Sequence, residues 1–232
     1  MTARLCLAAL IAATVPTAAL AADRNYTVTG FDRIRVDGPY RVQLVTGVAP
    51  FARASGTAAA IDGIDVQVQG RTLIVRKSQS NWGNYPDDNP GPVLLKVGTH
   101  ELTALYVNGA GSLSVDKVRG MGFELSLIGS GAVEIAGLDV DRLNASVKGS
   151  GSARLAGKAA RAMTNISGTG LVDAAALAVK DATASAEGAA VLRLNASNTA
   201  KINALGTATV EMTGRADCTV KTSGSSLVSG CR

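Results

Sequence analysis

The sequence predicts an all-β protein: a right-handed, single-stranded parallel β-helix, a solenoid with coils of about 20 residues. Three observations carry this. A glycine step recurs at a nearly constant interval, as Gly109-Ala110-Gly111, Gly129-Ser130-Gly131, Gly149-Ser150-Gly151 and Gly168-Thr169-Gly170, with weaker copies at Gly188, Gly206 and Gly224. An interval near twenty is a solenoid period. Apolar residues hold the same slots around each step, and the chain is 47% hydrophobic but only 3% aromatic, with 26 glycines. That composition suits a narrow core of small aliphatics.

Each coil has two short strands of period two. Four and two residues before the step stand Leu105 and Val107, Leu125 and Leu127, Ala145 and Val147, and so on to Val220 and Thr222. Four and six residues after it stand Leu113 and Val115, Val133 and Ile135, continuing to Val210 and Met212. One face of each strand is therefore apolar. The glycines fall between the strands, where the chain must bend and the next coil must stack closely. One coil buries too little to offset its ordering entropy, so the coils must fold together. The chain offers about seven. Parallel strands joined by crossovers are nearly always right-handed, which sets the expected hand. An antiparallel sandwich with glycine turns would also space strands by 8–12 residues. The shared register of glycines and apolar slots favours the β-helix.

Residues 1–21 read as a secretory signal peptide: Arg4, an apolar run from Leu5 to Val15, and the small-x-small site Ala19-Leu20-Ala21. A membrane anchor is the alternative, but the run is short and Pro16 interrupts it. Cys6 is lost on cleavage. The rest, 22–232, is expected to be one solenoid domain with no transmembrane segment. Within it, 26–77 forms opening strands and a cap outside the repeat register. Its charged residues Asp32, Arg33, Arg35 and Asp37 alternate with Phe31, Ile34 and Val36, and Gln69-Gly70-Arg71-Thr72 marks a hairpin turn. Residues 78–92 form a long polar loop carrying Trp82 and Tyr85. Exposed aromatics there could stack on a sugar or a partner, or fold back over the first coils. Residues 93–217 are the repeated coils and 218–232 a C-terminal cap.

The mature chain carries only Cys218 and Cys231. An even count in an exported protein suggests a disulfide. It would lock the open end of the solenoid. A reactive thiol pair would need C-x-x-C spacing or a flanking His, and neither is present.

The opening F-D-R-I-R-V-D-G-P-Y-R-V-Q-L at 31–44, V-Q-G-R-T-L-I-V at 68–75 and L-T-A-L-Y-V-N-G-A-G at 102–111 join the later glycine steps in one pattern. It resembles the bacterial family called putative auto-transporter adhesin, head GIN domain, a domain of unknown function. The resemblance covers roughly 31–230 and implies an exported right-handed β-helical domain. Two departures stand out: Ala190 and Ala208 replace the second glycine of late steps, and no auto-transporter barrel follows the last coil.

Function is less constrained. The formal charge of +5 is spread along the chain with acids between. No basic block interleaves with aromatics, so nucleic acid is not expected as a partner. Asp139 and Asp141 share a face of an extended segment beside Arg142. No carboxylates recur in neighbouring coils to build a hydrolase or lyase site, so a solvated turn is expected there. His100, in the turn signal Gly98-Thr99-His100-Glu101, is the only histidine and lacks a ligand set. No catalytic, cofactor or metal residues are nominated. The expectation is a non-enzymatic exported envelope or surface protein, periplasmic or extracellular, with a binding, adhesin-like or structural role. Its partner would be a polysaccharide or a protein. A carbohydrate-active β-helix enzyme, with a site near 78–101 or 139–142, is the alternative. Pairing of flat sides into a homo-oligomer is a third option.

Overall fold

Period-two strands that bend at glycines can bury their apolar slots only by stacking in register, and the chain does this. The computed structural model describes residues 22–78 and 91–231. Residues 1–21, expected to be a signal peptide, and most of the 78–92 loop therefore lie outside the described residues.

The strands are β1 (Ala22–Tyr26), β2 (Arg33–Asp37), β3 (Arg41–Thr46), β4 (Phe51–Gly56), β5 (Ile64–Gln69), β6 (Thr72–Lys77), β7 (Leu94–Thr99), β8 (Ala104–Gly109) and β9 (Ser112–Val115). They continue with β10 (Val118–Gly129), β11 (Ala132–Gly149), β12 (Ser152–Gly168), β13 (Leu171–Gly188), β14 (Val191–Gly206), β15 (Thr209–Gly214), β16 (Asp217–Gly224) and β17 (Leu227–Ser229). All ladders from β8 onward are parallel. They form a solenoid of about six turns with coils about 20 residues apart. The long strands β11 to β14 run through the bends, so each lends residues to three faces.

The first glycines of the steps form one column. Gly109, Gly129, Gly149, Gly168, Gly188, Gly206 and Gly224 are successive register partners. Each has positive φ, from +82° to +118°. The carbonyl of each corner glycine accepts from the coil above: Ser130 N–H donates to Gly109 at 3.0 Å, Ser150 to Gly129 at 3.0 Å, and Thr169 to Gly149 at 2.9 Å. A Cβ on Gly149 would lie 2.6 Å from the Gly129 carbonyl oxygen. Glycine is required by both conformation and space. The second position is less strict, for Ala190 and Ala208 stand there fully buried.

The predicted apolar slots face inward. From Leu105 to Met212 every one is at most 6% exposed, including Thr164. Ala184 and Ala186 thin the core but remain buried. The last coil departs from the pattern: Val220 is 39% exposed and Thr222 is exposed as well. Their strand β16 pairs with β14, and among the described residues nothing pairs with its other edge. The Cys218–Cys231 disulfide, with Cα atoms 5.7 Å apart, ties this last coil together.

The opening segment is corrected in three respects. First, β2 and β3 are in the repeat register: Arg33 to Asp37 pair with Ala104 to Asn108, and Arg41 to Leu44 with Ser112 to Val115. Gly38, at φ +124°, heads the glycine column beside Gly109. Second, spatial order differs from chain order. The later strands β6 and β7 stack outside β2 and β3, so the chain must cross back to reach β8. Thr103 N–H and Oγ1 both donate to the Asp32 carbonyl, and Thr99 Oγ1 donates to that of Phe31. Asp32 is thereby buried, with Arg71 at 2.8 Å, although alternation places it outside. Gly98 and Thr99 likewise end a buried strand instead of opening a turn. Third, the all-β pattern hides one helical turn, α1 (Ala58–Asp62). Thr57 caps it by accepting from Ala60 N–H at 3.2 Å, and Ala60 and Ile61 enter the core. With the antiparallel strands β1, β4 and β5, α1 covers this end.

Gly149→Ala is expected to lower stability by about 2–4 kcal/mol in urea unfolding. Gly30→Ala, with nothing within 4 Å of its Cβ, should change it by less than about 0.5 kcal/mol; equal effects would contradict the corner argument. Replacing both Cys218 and Cys231 with Ser should cost up to about 3 kcal/mol. Hydrogen exchange should then accelerate in 217–229 and leave 132–206 protected.

Candidate binding surface

Because every coil repeats the same strands, outward side chains stack into columns that run along the solenoid. Face A is built from β8 and the C-terminal parts of β10 to β14, continued by β2, β6 and β5 at one end and by β16 at the other. Its middle column is Tyr106, Ser126, Ser146, Asn165, Ser185, Asn203 and Lys221, each the register partner of the next. The bordering columns carry larger groups, such as Glu124 and Ile128 beside Ser126, and Lys201 and Leu205 beside Asn203. A shallow polar trough results. The side chains of Ser126, Ser146, Asn165, Ser185 and Asn203 make no hydrogen bond among the described residues. Their donors and acceptors are available at intervals of about 4.8 Å.

The trough deepens at both ends. At one end a depression of about 530 Å³ is lined by Arg35, Gln69, Thr72, Ile74, Tyr106, Asn108, Ser126 and Ile128. At the other a depression of about 570 Å³ is lined by Thr183, Ser185, Lys201, Asn203, Thr219 and Lys221. The first is the more ordered chemically. The Asp37 carboxylate accepts from Arg35 Nε at 3.0 Å and from Asn108 Nδ2 at 2.5 Å, which holds both planar groups in place. Tyr106 Oη donates to Glu124 Oε2 at 3.1 Å. Partial burial, reinforced by the Glu124 charge, pushes the Tyr106 phenol above its ordinary pKa, so it stays a neutral donor. A half-buried ring beside oriented amide, guanidinium and carboxylate groups can stack on an apolar sugar face and meet its hydroxyls.

The second face, B, comprises β9, the N-terminal parts of β11 to β14, and β15. Glu134, Arg154, Asp173, Arg193 and Glu211 follow one another in register on it. Arg193 lies 2.9 Å from Glu211 and 3.9 Å from Asp173. In this alternating column the ion pairs gather on Arg193.

On the third face Asp139 and Asp141 are exposed within strand β11, not in a turn between coils. Asp139 is bound to Lys158 at 3.3 Å, which engages it as an ion pair. Asp181 accepts from Thr199 and Asn198, each at 2.7 Å, and these bonds hold its carboxyl below the usual range. Among the described residues no three His, Cys, Asp or Glu side chains gather as a metal site. His100 lies between β7 and β8, where its carbonyl accepts from Gly47 N–H at 3.0 Å.

The nominated Trp82 and Tyr85 lie outside the described residues. Tyr106 and the face A column were not singled out from sequence. The signal was present, since a tyrosine between the buried Leu105 and Val107 must point outward. What gathers Arg35, Asp37 and Gln69 around it is the inverted stacking order of the opening strands.

Comparison with known proteins agrees with this architecture. The family described as “Putative auto-transporter adhesin, head GIN domain” matches residues 30–216. No curated protein matches the chain in sequence. A solved structure of a “putative adhesin” from Bacteroides fragilis superposes with a TM-score of 0.83 at 19% identity, covering 91% of this chain and 97% of that one. A “putative lipid binding protein” from Parabacteroides distasonis gives 0.67 at 21% identity, covering 90% and 97%. A “putative adhesin” from Parabacteroides merdae gives 0.67 at 17% identity, covering 90% and 95%. At these identities the likeness is one of fold.

The hydrogen bonds to Asp181 have a measurable consequence. Its carboxyl should titrate below an ordinary aspartate in an NMR pH series, and Asn198→Ala with Thr199→Val should return it toward that value. The sign follows from the lowered pKa: the contribution is present above the unfolded value and is lost as pH falls through the folded one.

Proposed function

The chain belongs to the family described as “Putative auto-transporter adhesin, head GIN domain”, and on that premise we propose that it is an exported, non-enzymatic, adhesin-like module that holds an extended glycan along face A. The observation that carries this is the column of unbonded hydroxyl and amide side chains ending at the Tyr106 depression. Its length suits a polymer lying along the solenoid axis, and its shallowness suits a ligand held at many weak points. The disulfide fits an oxidising compartment outside the cytoplasm. No helix among the described residues is long and apolar enough to cross a membrane.

Retention of the purified mature chain on envelope and extracellular polysaccharides tests the proposal. Tyr106→Ala with Asn108→Ala should weaken retention at least tenfold, while Glu211→Gln on face B should leave it unchanged. Reducing ends and unsaturated products are followed in the same samples. Product release that Asp139→Ala abolishes would instead establish a carbohydrate-active enzyme.

A further inference from the structure

We propose that the glycan held on face A is acidic, and that Arg142 and Arg161 are the pair that reads its carboxylate, sulfate or phosphate groups. This rests on face A being the binding surface. In a parallel in-register stack, equivalent residues of adjacent coils lie about 4.8 Å apart. Like charges at that spacing repel, and opposite charges stabilise. Face B obeys this, alternating Glu134, Arg154, Asp173, Arg193 and Glu211. At the upstream border of face A one step breaks this rule. Arg142 and Arg161 are direct register partners. On its other side Arg142 faces Gly122, which has no side chain. Arg161 faces Asp181, which accepts from Thr199 and Asn198 and also attracts Arg161 electrostatically, so the arginine pair is balanced on one side only. Both arginines are exposed, and neither takes part in a salt bridge.

Position gives the pair its role. Along the strands, Asn144 and Met163 come next, and then Ser146 and Asn165 in the floor of the trough. Lys148 stands on the opposite border, and Lys201 and Lys221 mark the far end. The carboxylates nearby are Asp141, Asp181, Glu187 and Glu124, the last bound by Tyr106. A polymer lying in the trough would present hydroxyls to the Ser and Asn column and its charges to two adjacent guanidiniums. Guanidinium forks match planar or tetrahedral oxyanions better than ammonium groups do. An anion bridging the two guanidiniums would offset the like-charge contact between them.

The test uses paired polymers that differ in charge: polygalacturonate against its methyl ester, and dextran sulfate against uncharged dextran. The mature protein should bind at least one acidic member tenfold or more tighter than its neutral counterpart at 50 mM NaCl, and that preference should collapse by 500 mM. Arg142→Gln with Arg161→Gln should abolish the preference without changing affinity for the neutral member. The double Arg→Lys variant should keep part of it, and Arg154→Gln on face B should keep all of it. Circular dichroism and an intact disulfide confirm that each variant is folded. Equal affinity for charged and neutral members, or a silent Arg142/Arg161 variant, overturns the inference and leaves the trough standing. Binding to none of the four polymers overturns both. Arginine-dependent binding to phosphatidylglycerol vesicles without binding to the acidic polymers overturns the inference in favour of a lipid headgroup.

Discussion

The fold depends on one hydrogen bond repeated at a corner: the carbonyl of a glycine at positive φ accepts an N–H from the coil above. That bond needs the two backbones so close that no Cβ fits between them at Gly129, Gly149 or Gly224. It also fixes register. Once Gly149 sits over Gly129, every residue before and after it is placed on a given face, and the apolar slots meet without further specification. A one-residue slip would turn the whole inward set to solvent. The corner and the core therefore enforce the same alignment.

A stack held by its neighbours has a problem at each end, and the two ends differ. At the N-terminal end the chain first lays down β2 and β3, then returns outside them with β6 and β7, so the earliest in-register coil is buried on both sides. Antiparallel strands and one helical turn finish that end. Its stability is distributed over many contacts, including the buried Asp32 with Arg71. At the C-terminal end the last coil has a neighbour on one side only, and Val220 and Leu227 remain exposed. A covalent link between Cys218 and Cys231 restrains the coil where packing is one-sided.

Register also dictates surface chemistry. Residues eighteen to twenty positions apart in sequence become neighbours, so any surface property is amplified down a column. Where charges alternate, as on face B, a column becomes a stabilising ladder. Where small polar residues repeat, as on face A, it becomes a long row of equivalent donors and acceptors. The same geometry sets Arg142 beside Arg161, a like-charge step with a counter-charge, Asp181, on the Arg161 side only.

The sequence by itself determined the periodic part of this protein. Glycines 109, 129, 149 and 168, the apolar slots between Leu105 and Met212, the Gly70 hairpin and the cysteine pair were all legible, because each expresses a local rule repeated at constant spacing. The helical turn after Thr57, the burial of Asp32 and the register of β2 were not, because they follow from strands that stack out of chain order. Only the tertiary structure decided that order, and with it the candidate surface. Tyr106, Arg35, Asp37 and Gln69 are far apart in the chain and share no motif. They meet because a solenoid converts distance along the sequence into adjacency across coils, and charges that look dispersed along the sequence are sorted onto separate faces.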